Sequence, residues 1–118
     1  MDASFELEGD LSLLRLGGEI DLHASPQLRE ILQKASSDGK LPLLIDFSAV
    51  EYIDSSGLAT FIEYLRGGNG TSRKMAFCAL QPRVRMVFEL VRLHELFKIC
   101  TTLEEGRKTL LPGEPAKP

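Results

Sequence analysis

The stretch Tyr52-Ile53-Asp54-Ser55-Ser56-Gly57-Leu58 decides the fold. Ahead of it, Leu43-Leu44-Ile45-Asp46-Phe47 is nearly continuous in apolar residues, the pattern of a strand covered on both faces. Behind it, Leu58, Phe61, Ile62 and Leu65 recur at i, i+3, i+4 and i+7, which is one face of a helix. The junction therefore reads as strand, short connection, helix. Asp54, Ser55 and Ser56 are all residue types that cap the free N–H groups at a helix start. Such a start carries partial positive charge and favours an added anion. A phosphoryl group on a serine of this junction would be tolerated by its own protein, which points to a switch rather than a catalyst.

Working outward toward the N-terminus, Phe5 and Leu7 alternate with polar neighbours, Gly9-Asp10 forms a turn, and Leu11 to Leu16 resumes the strand pattern. Gly17-Gly18 breaks that regularity, and Glu19 to Leu22 continues as strand end or loop. Ser25-Pro26 opens a helix, Ser as cap and Pro at the first helical position, with Leu28, Ile31, Leu32 and Ala35 as its apolar stripe and Ser37-Asp38-Gly39 as its end. Toward the C-terminus, the helix after the serines stops at Gly67-Gly68-Asn69-Gly70, and Met75 to Leu80 is a second buried strand. Pro82 opens a third helix with Val84, Val87, Phe88 and Val91 as its core face, and Phe97 to Thr101 is a last strand. Thr102-Leu103-Glu104-Glu105 has capping-box spacing and starts a closing helix through about Leu111. The order β-β-α-β-α-β-α-β-α predicts an α/β domain over residues 1–111, its mostly parallel sheet of four to five strands carrying one N-terminal antiparallel strand. About four helices accompany it, and the Pro-rich residues 112–118 are expected to form a disordered tail.

The 118 residues suffice for one domain that buries roughly two-thirds of its unfolded surface without disulfides or metals. A net charge of −3 gives no footprint for nucleic acid, and Arg83, Arg85, Arg92 and Arg73-Lys74 read as solvated surface. The start Met1-Asp2-Ala3-Ser4-Phe5-Glu6 has no signal-peptide character, and no apolar run is long enough to span a bilayer, so a cytoplasmic protein that does not engage membranes is expected. Cys78 and Cys100 fall in strands without a C-x-x-C pattern or paired histidines, so they read as buried free thiols rather than metal ligands. His23 and His94 lie in or next to loops and read as surface residues.

Gly18-Glu19-Ile20-Asp21, the strand Leu43 to Phe47, Asp54-Ser55-Ser56-Gly57-Leu58 and Pro82 to Phe97 together resemble a STAS domain, most closely the stand-alone bacterial anti-sigma-factor antagonists. The resemblance covers about residues 4–110. It implies partner switching. The unphosphorylated antagonist binds an anti-sigma serine kinase and frees the sigma factor; phosphorylation on the first serine of the box releases the kinase, and a serine phosphatase resets the switch. Matched residue by residue, the phosphoacceptor is Ser55, and the partner surface comprises Asp21, Asp54, Ser56, Gly57 and an exposed Thr60, with Gly57 admitting the partner's backbone. Neither cofactor nor metal is implied, and the free chain is expected to be a monomer. Gly67 to Gly70 departs from the family by ending the helix about a turn early.

Other chemistries fit less well. A serine hydrolase could be composed from Ser55, His23 and Asp21 or Asp54, but Ile53 occupies the first glycine position of a nucleophile elbow. Gly67 to Lys74 lacks the Gly-Lys-Ser/Thr ending of a P-loop. The chain thus reads as a kinase's substrate and not an enzyme. The resemblance also leaves open a regulatory subunit of a lipid ABC transporter, a component of a stress-signalling scaffold, or an adaptor whose serines are never modified.

Overall fold

The Gly9-Asp10 turn folds the N-terminal residues back on themselves. Strand β1 (Asp2–Glu8) pairs antiparallel with β2 (Leu11–Ile20), Glu8 opposite Leu11, and Gly9 takes the positive φ the turn needs. The computed structural model describes residues 1–37, 41–66 and 74–111, with the side chains of Ser36 and Ser37 excepted. After the hairpin come α1 (Ser25–Ser37), β3 (Leu43–Ile53), α2 (Ser55–Arg66), β4 (Met75–Cys78) and α3 (Pro82–Leu90). A 3-10 turn at Leu93–Glu95, β5 (Lys98–Cys100) and α4 (Leu103–Leu110) complete the described chain. The five strands lie in the order β1-β2-β3-β4-β5, and every pairing after the hairpin is parallel. The α/β architecture is the one expected from the sequence. The segment 67–73 and the tail 112–118 lie outside the described residues.

Alternating residues of the strands feed two cores. Leu14, Leu16, Leu43, Ile45, Phe47 and Phe77 meet α1, α2 and α3 on one face. Leu11, Leu13, Leu44, Ala76, Cys78 and Cys100 meet α4 on the other. On the first face, Phe47, Phe61, Phe77, Phe88 and Phe97 form a chain of tilted and edge-on ring pairs with centroids 4.9–6.3 Å apart. Edge-on geometry sets a positive ring edge against a negative face, so these pairs add to plain burial. On the second face, Gly106 lets α4 sit close, because a Cβ there would stand 2.5 Å from Leu44 Cδ1. Both cysteines are free and buried, and burial, followed by the nearby Asp46, pushes the Cys78 thiol up to about 12.

Three boundaries differ from the sequence reading. Strand β3 does not stop at Phe47 but continues to Ile53, and β2 runs straight through Gly17-Gly18. Between Arg15 and Glu19 the register with β3 shifts twice, each time leaving an extra residue on β3. Those bulges replace the two-residue alternation by a three-residue one, in which Val50 and Ile53 are buried and Ser48, Ala49, Glu51 and Tyr52 are exposed. In α3, Val84 and Phe88 are buried as expected and Val87 is half-buried, but Val91 is exposed because the helix ends at Leu90. At α4 the Thr102 hydroxyl accepts the Glu105 N–H at 3.1 Å, while the Glu105 carboxylate accepts the N–H of Thr101 at 2.6 Å rather than that of Thr102.

One ion pair closes the molecule. Glu8, at the end of β1, accepts two hydrogen bonds from Arg107 of α4 at 2.5 and 3.0 Å. The bonds to that guanidinium hold the Glu8 carboxyl below its ordinary range. No helix among the described residues is long and apolar enough to cross a membrane.

Candidate functional site

Ile20 and Ile53 are register partners at the ends of the neighbouring strands β2 and β3. The Asp54 N–H donates to the Ile20 carbonyl at 3.2 Å, so the residues that follow, Asp21 and Asp54, leave the sheet side by side. Asp54 then becomes the helix cap. Its Oδ1 accepts the N–H of Ser56 at 2.9 Å and of Gly57 at 3.3 Å, and its carbonyl accepts the Leu58 N–H at 3.0 Å. Ser55 is left at the first helical position. It is exposed, and its hydroxyl has no hydrogen-bond partner among the described residues. Ser56 is half-buried, with its N–H on Asp54 and its carbonyl accepting from Thr60.

Asp21 organises the neighbouring turn. Its Oδ1 accepts the Ala24 N–H at 3.0 Å, and its carbonyl accepts both the Ser25 N–H and the Ser25 hydroxyl at 3.0 Å. Ser25 therefore opens α1 by donating backward, not by capping forward as the sequence suggested. Of the Asp21 carboxylate, Oδ1 is engaged in this turn, and the residue as a whole is half-exposed.

Two expected surface residues face inward. Thr60 is only 2% exposed, and its hydroxyl donates to the Ser56 carbonyl at 2.9 Å. That internal bond satisfies the polar atom and lets the rest of the side chain be buried. Gly57 is likewise buried: a Cβ there would stand 2.8 Å from Ile20 Cγ2 and 2.9 Å from both the Ile20 oxygen and Ile53 Cγ1. Its missing side chain admits the chain's own strand ends. Asp21, Asp54, Ser55 and Ser56 are thus brought to one end of the sheet, while Thr60 and Gly57 support it from within. His23 and His94 are both exposed.

The structure adds two residues that sequence reasoning missed. Leu22 follows Asp21 and is 68% exposed, and Tyr52, paired in register with Glu19, is 46% exposed. Both are large side chains exposed close in the chain to Asp21 and Asp54, and Tyr52 is of the aromatic type that anchors interfaces. A signal existed for Leu22, which stands between Asp21 and His23 outside any apolar stripe. Tyr52 was hidden by the bulged periodicity of β3. The strand ends are also acidic. Glu19, Asp21, Glu51 and Asp54 all occur in residues 16–24 and 48–56, which contain no Lys or Arg. An exposed serine with no hydrogen-bonded base of its own is accessible to a transferase that supplies the base from outside.

Comparison with known proteins places this geometry. A family model described as the STAS domain matches residues 3–106. A protein of Staphylococcus aureus (strain NCTC 8325 / PS 47) named anti-sigma-B factor antagonist is 28% identical over 86 residues, covering 73% of this chain and 80% of that one. The crystal structure of an anti-sigma factor antagonist from Mycobacterium paratuberculosis superposes with a TM-score of 0.85 at 26% identity, covering 92% of each chain. The antagonist SpoIIAA in its unphosphorylated form gives 0.79 at 24% identity over 97% of this chain and 99% of that one. Its phosphorylated form, from Bacillus, gives 0.68 at 24% identity over 92% of this chain and 98% of that one. With the family model spanning nearly all of the described residues, the chain belongs to the STAS-domain family.

Proposed function

We propose that this chain is an anti-sigma-factor antagonist that works by partner switching. Unmodified, it binds an anti-sigma serine kinase through the surface formed by Asp21, Leu22, Tyr52, Asp54, Ser55 and Ser56, and so releases a sigma factor. Transfer of a phosphoryl group from ATP to Ser55 ends that interaction, and a serine phosphatase restores it. The observation that supports this best is the position of Ser55. Asp54 has taken over the capping, so the Ser55 hydroxyl stands exposed and unbonded at the first helical position. Names and structures of related antagonists, among them one solved in phosphorylated form, agree with this reading.

The physics of the switch follows from the same geometry. A phosphoserine brings about −1.5 to −2 charges at neutral pH. The N–H groups of Ser56 and Gly57 are already held by Asp54, so the phosphoryl group projects outward instead of settling onto the helix end. The fold is left alone. At an interface the same group must shed its hydration among Glu19, Asp21, Glu51 and Asp54, and like charges set together there cost several kcal/mol.

The test is to isolate the protein from its native cells with phosphatases blocked and to map phosphate by intact-mass and peptide mass spectrometry. Phosphate on Ser55 in a fraction of molecules is the expected result. A Ser55 that stays unmodified under every growth condition tried would sink the proposal in favour of a constitutive adaptor. As a second expectation, Ser55→Asp should melt with wild type yet bind the kinase at least about tenfold more weakly.

A further inference from the structure

The described residues contain eight exposed large hydrophobics, and four of them, Met86, Leu90, Val91 and Leu96, fall within eleven consecutive positions at α3 and the turn that follows it. Scattered apolar residues on a surface need no explanation, but Met86 and Leu90 lie about one turn apart on one side of α3, and contiguous exposed apolar surface marks an interaction site. Val84 and Phe88 fasten the inner side of α3 to the core. The outer side then carries Arg83, Met86 and Leu90 at i, i+3 and i+7, a straight ridge along the helix, in which Leu90 is 76% and Met86 58% exposed.

The charge around this ridge is opposite in sign to that of the whole chain. Residues 82–98 hold four cations, Arg83, Arg85, Arg92 and Lys98, against the carboxylates of Glu89 and Glu95, in a chain whose net charge is −3. Arg85 is paired with Glu89 and Arg92 with Glu95, whereas Arg83 has no ion pair among the described residues. The ridge therefore ends on an unmatched guanidinium.

We propose that α3 docks an amphipathic helix of a partner protein, one whose apolar row is flanked by carboxylates. A row of that form packs against the Met86–Leu90 ridge as helix ridges pack into grooves, and a carboxylate of the row meets Arg83. Two other occupants fit the charges less well. A second copy of this chain packed antiparallel through the middle of the ridge would bring Arg83 level with Arg92, and packed parallel it would face Arg83 with Arg83. An anionic lipid surface is held by many unmatched cations, and here Arg85 and Arg92 are already neutralised by Glu89 and Glu95.

The site is separate from the one around Ser55. Helix α3 follows β4 and returns antiparallel to the parallel strands, so Leu90 and Val91 lie where those strands begin, while Ser55 lies where β3 ends. Occupancy of α3 is thus independent of phosphorylation, and the proposal stands whether or not Ser55 is modified.

The test uses the full chain and a synthetic helical peptide of ~18 residues with Leu at i, i+3, i+4 and i+7 and Glu on both flanks. Its counterpart carries Lys for Glu, and phosphatidylglycerol vesicles serve as the lipid probe. Binding is followed by calorimetry and amide chemical shifts. The Glu peptide is expected to saturate, with shifts centred on Met86, Leu90, Val91 and Leu96. The Lys peptide should bind roughly tenfold more weakly, and Leu90→Glu, Met86→Gln and Arg83→Glu should each weaken the Glu peptide about tenfold without changing the melting temperature. Ser55→Asp should leave that affinity within about twofold. Lack of saturation by the Glu peptide, equal binding of both peptides, or shifts confined to another surface would each overturn the proposal. So would binding of vesicles but not peptide, or a concentration-dependent dimer that Leu90→Glu abolishes.

Discussion

At Asp54 and Ser55, neighbouring residues divide two tasks that either could perform. Both are capping types, and the sequence alone left the cap open among Asp54, Ser55 and Ser56. The choice is made by where β3 ends. Ile53 is still held in register with Ile20, so Asp54 is the first residue free to turn, and its carboxylate reaches the N–H groups ahead of it. That boundary was illegible because it depends on pairing with a strand more than thirty residues earlier. Thr60 misled for a different reason: its hydroxyl is satisfied by the Ser56 carbonyl, a bond made within one helical turn, so burial carries no penalty. Gly57 was singled out for a partner's approach, and the structure gives its missing side chain a role inside the chain. Its Cβ would collide with the Ile20 carbonyl, a backbone atom that cannot rotate away. Gly57→Ala is accordingly expected to destabilise the fold by about 1–3 kcal/mol in urea unfolding, despite the higher helix propensity of alanine. Stability equal to wild type would mean that α2 is free to lift off the strand ends.

Among the elements, the strands and helices with regular periods were readable and the bulged one was not. The apolar runs at Leu43–Phe47 and Met75–Cys78 and the stripe Leu58/Phe61 all lie where their periods place them. The second half of β3 escaped because two bulges turn its burial into a period of three, which matches neither strand nor helix templates. In α3 the i+7 position of an apparent core stripe, Val91, falls just beyond the helix and is 53% exposed. Paired alanine substitutions separate the two situations. Phe61→Ala, which removes a ring in contact with Phe47 and Phe77, should cost about 3–5 kcal/mol. Val91→Ala should stay within about 0.5 kcal/mol. Similar losses for both in denaturant titrations would mean that Val91 is packed after all.

For the whole molecule, the order of elements and the placement of the antiparallel strand could be read from the chain, but its closure could not. Glu8 and Arg107 are 99 positions apart, and nothing local marks either residue as half of a pair. The pair gives stability a defined acid dependence. The folded-state carboxyl of Glu8 is held below its ordinary value of 4.5, so its contribution is present at neutral pH and is lost as the pH falls from that value through the lowered one. Glu8→Gln should therefore be less stable than wild type at pH 7, with the gap closing as the pH is lowered through the acid range, and a gap independent of pH would show that the bond does not depend on charge. The two side chains are about one-third exposed, so solvent keeps the effect modest. A different consequence follows from the strand order β1-β2-β3-β4-β5, which repeats the order of the chain itself. No strand has to be threaded between two that are already paired. Each one emerging from a ribosome can add to the open edge left by its predecessor, and the growing sheet needs no rearrangement during synthesis. What must wait until nearly all of the chain has been made is the docking of α4, with Leu110 against Leu11, Leu13 and Leu44 and Arg107 on Glu8.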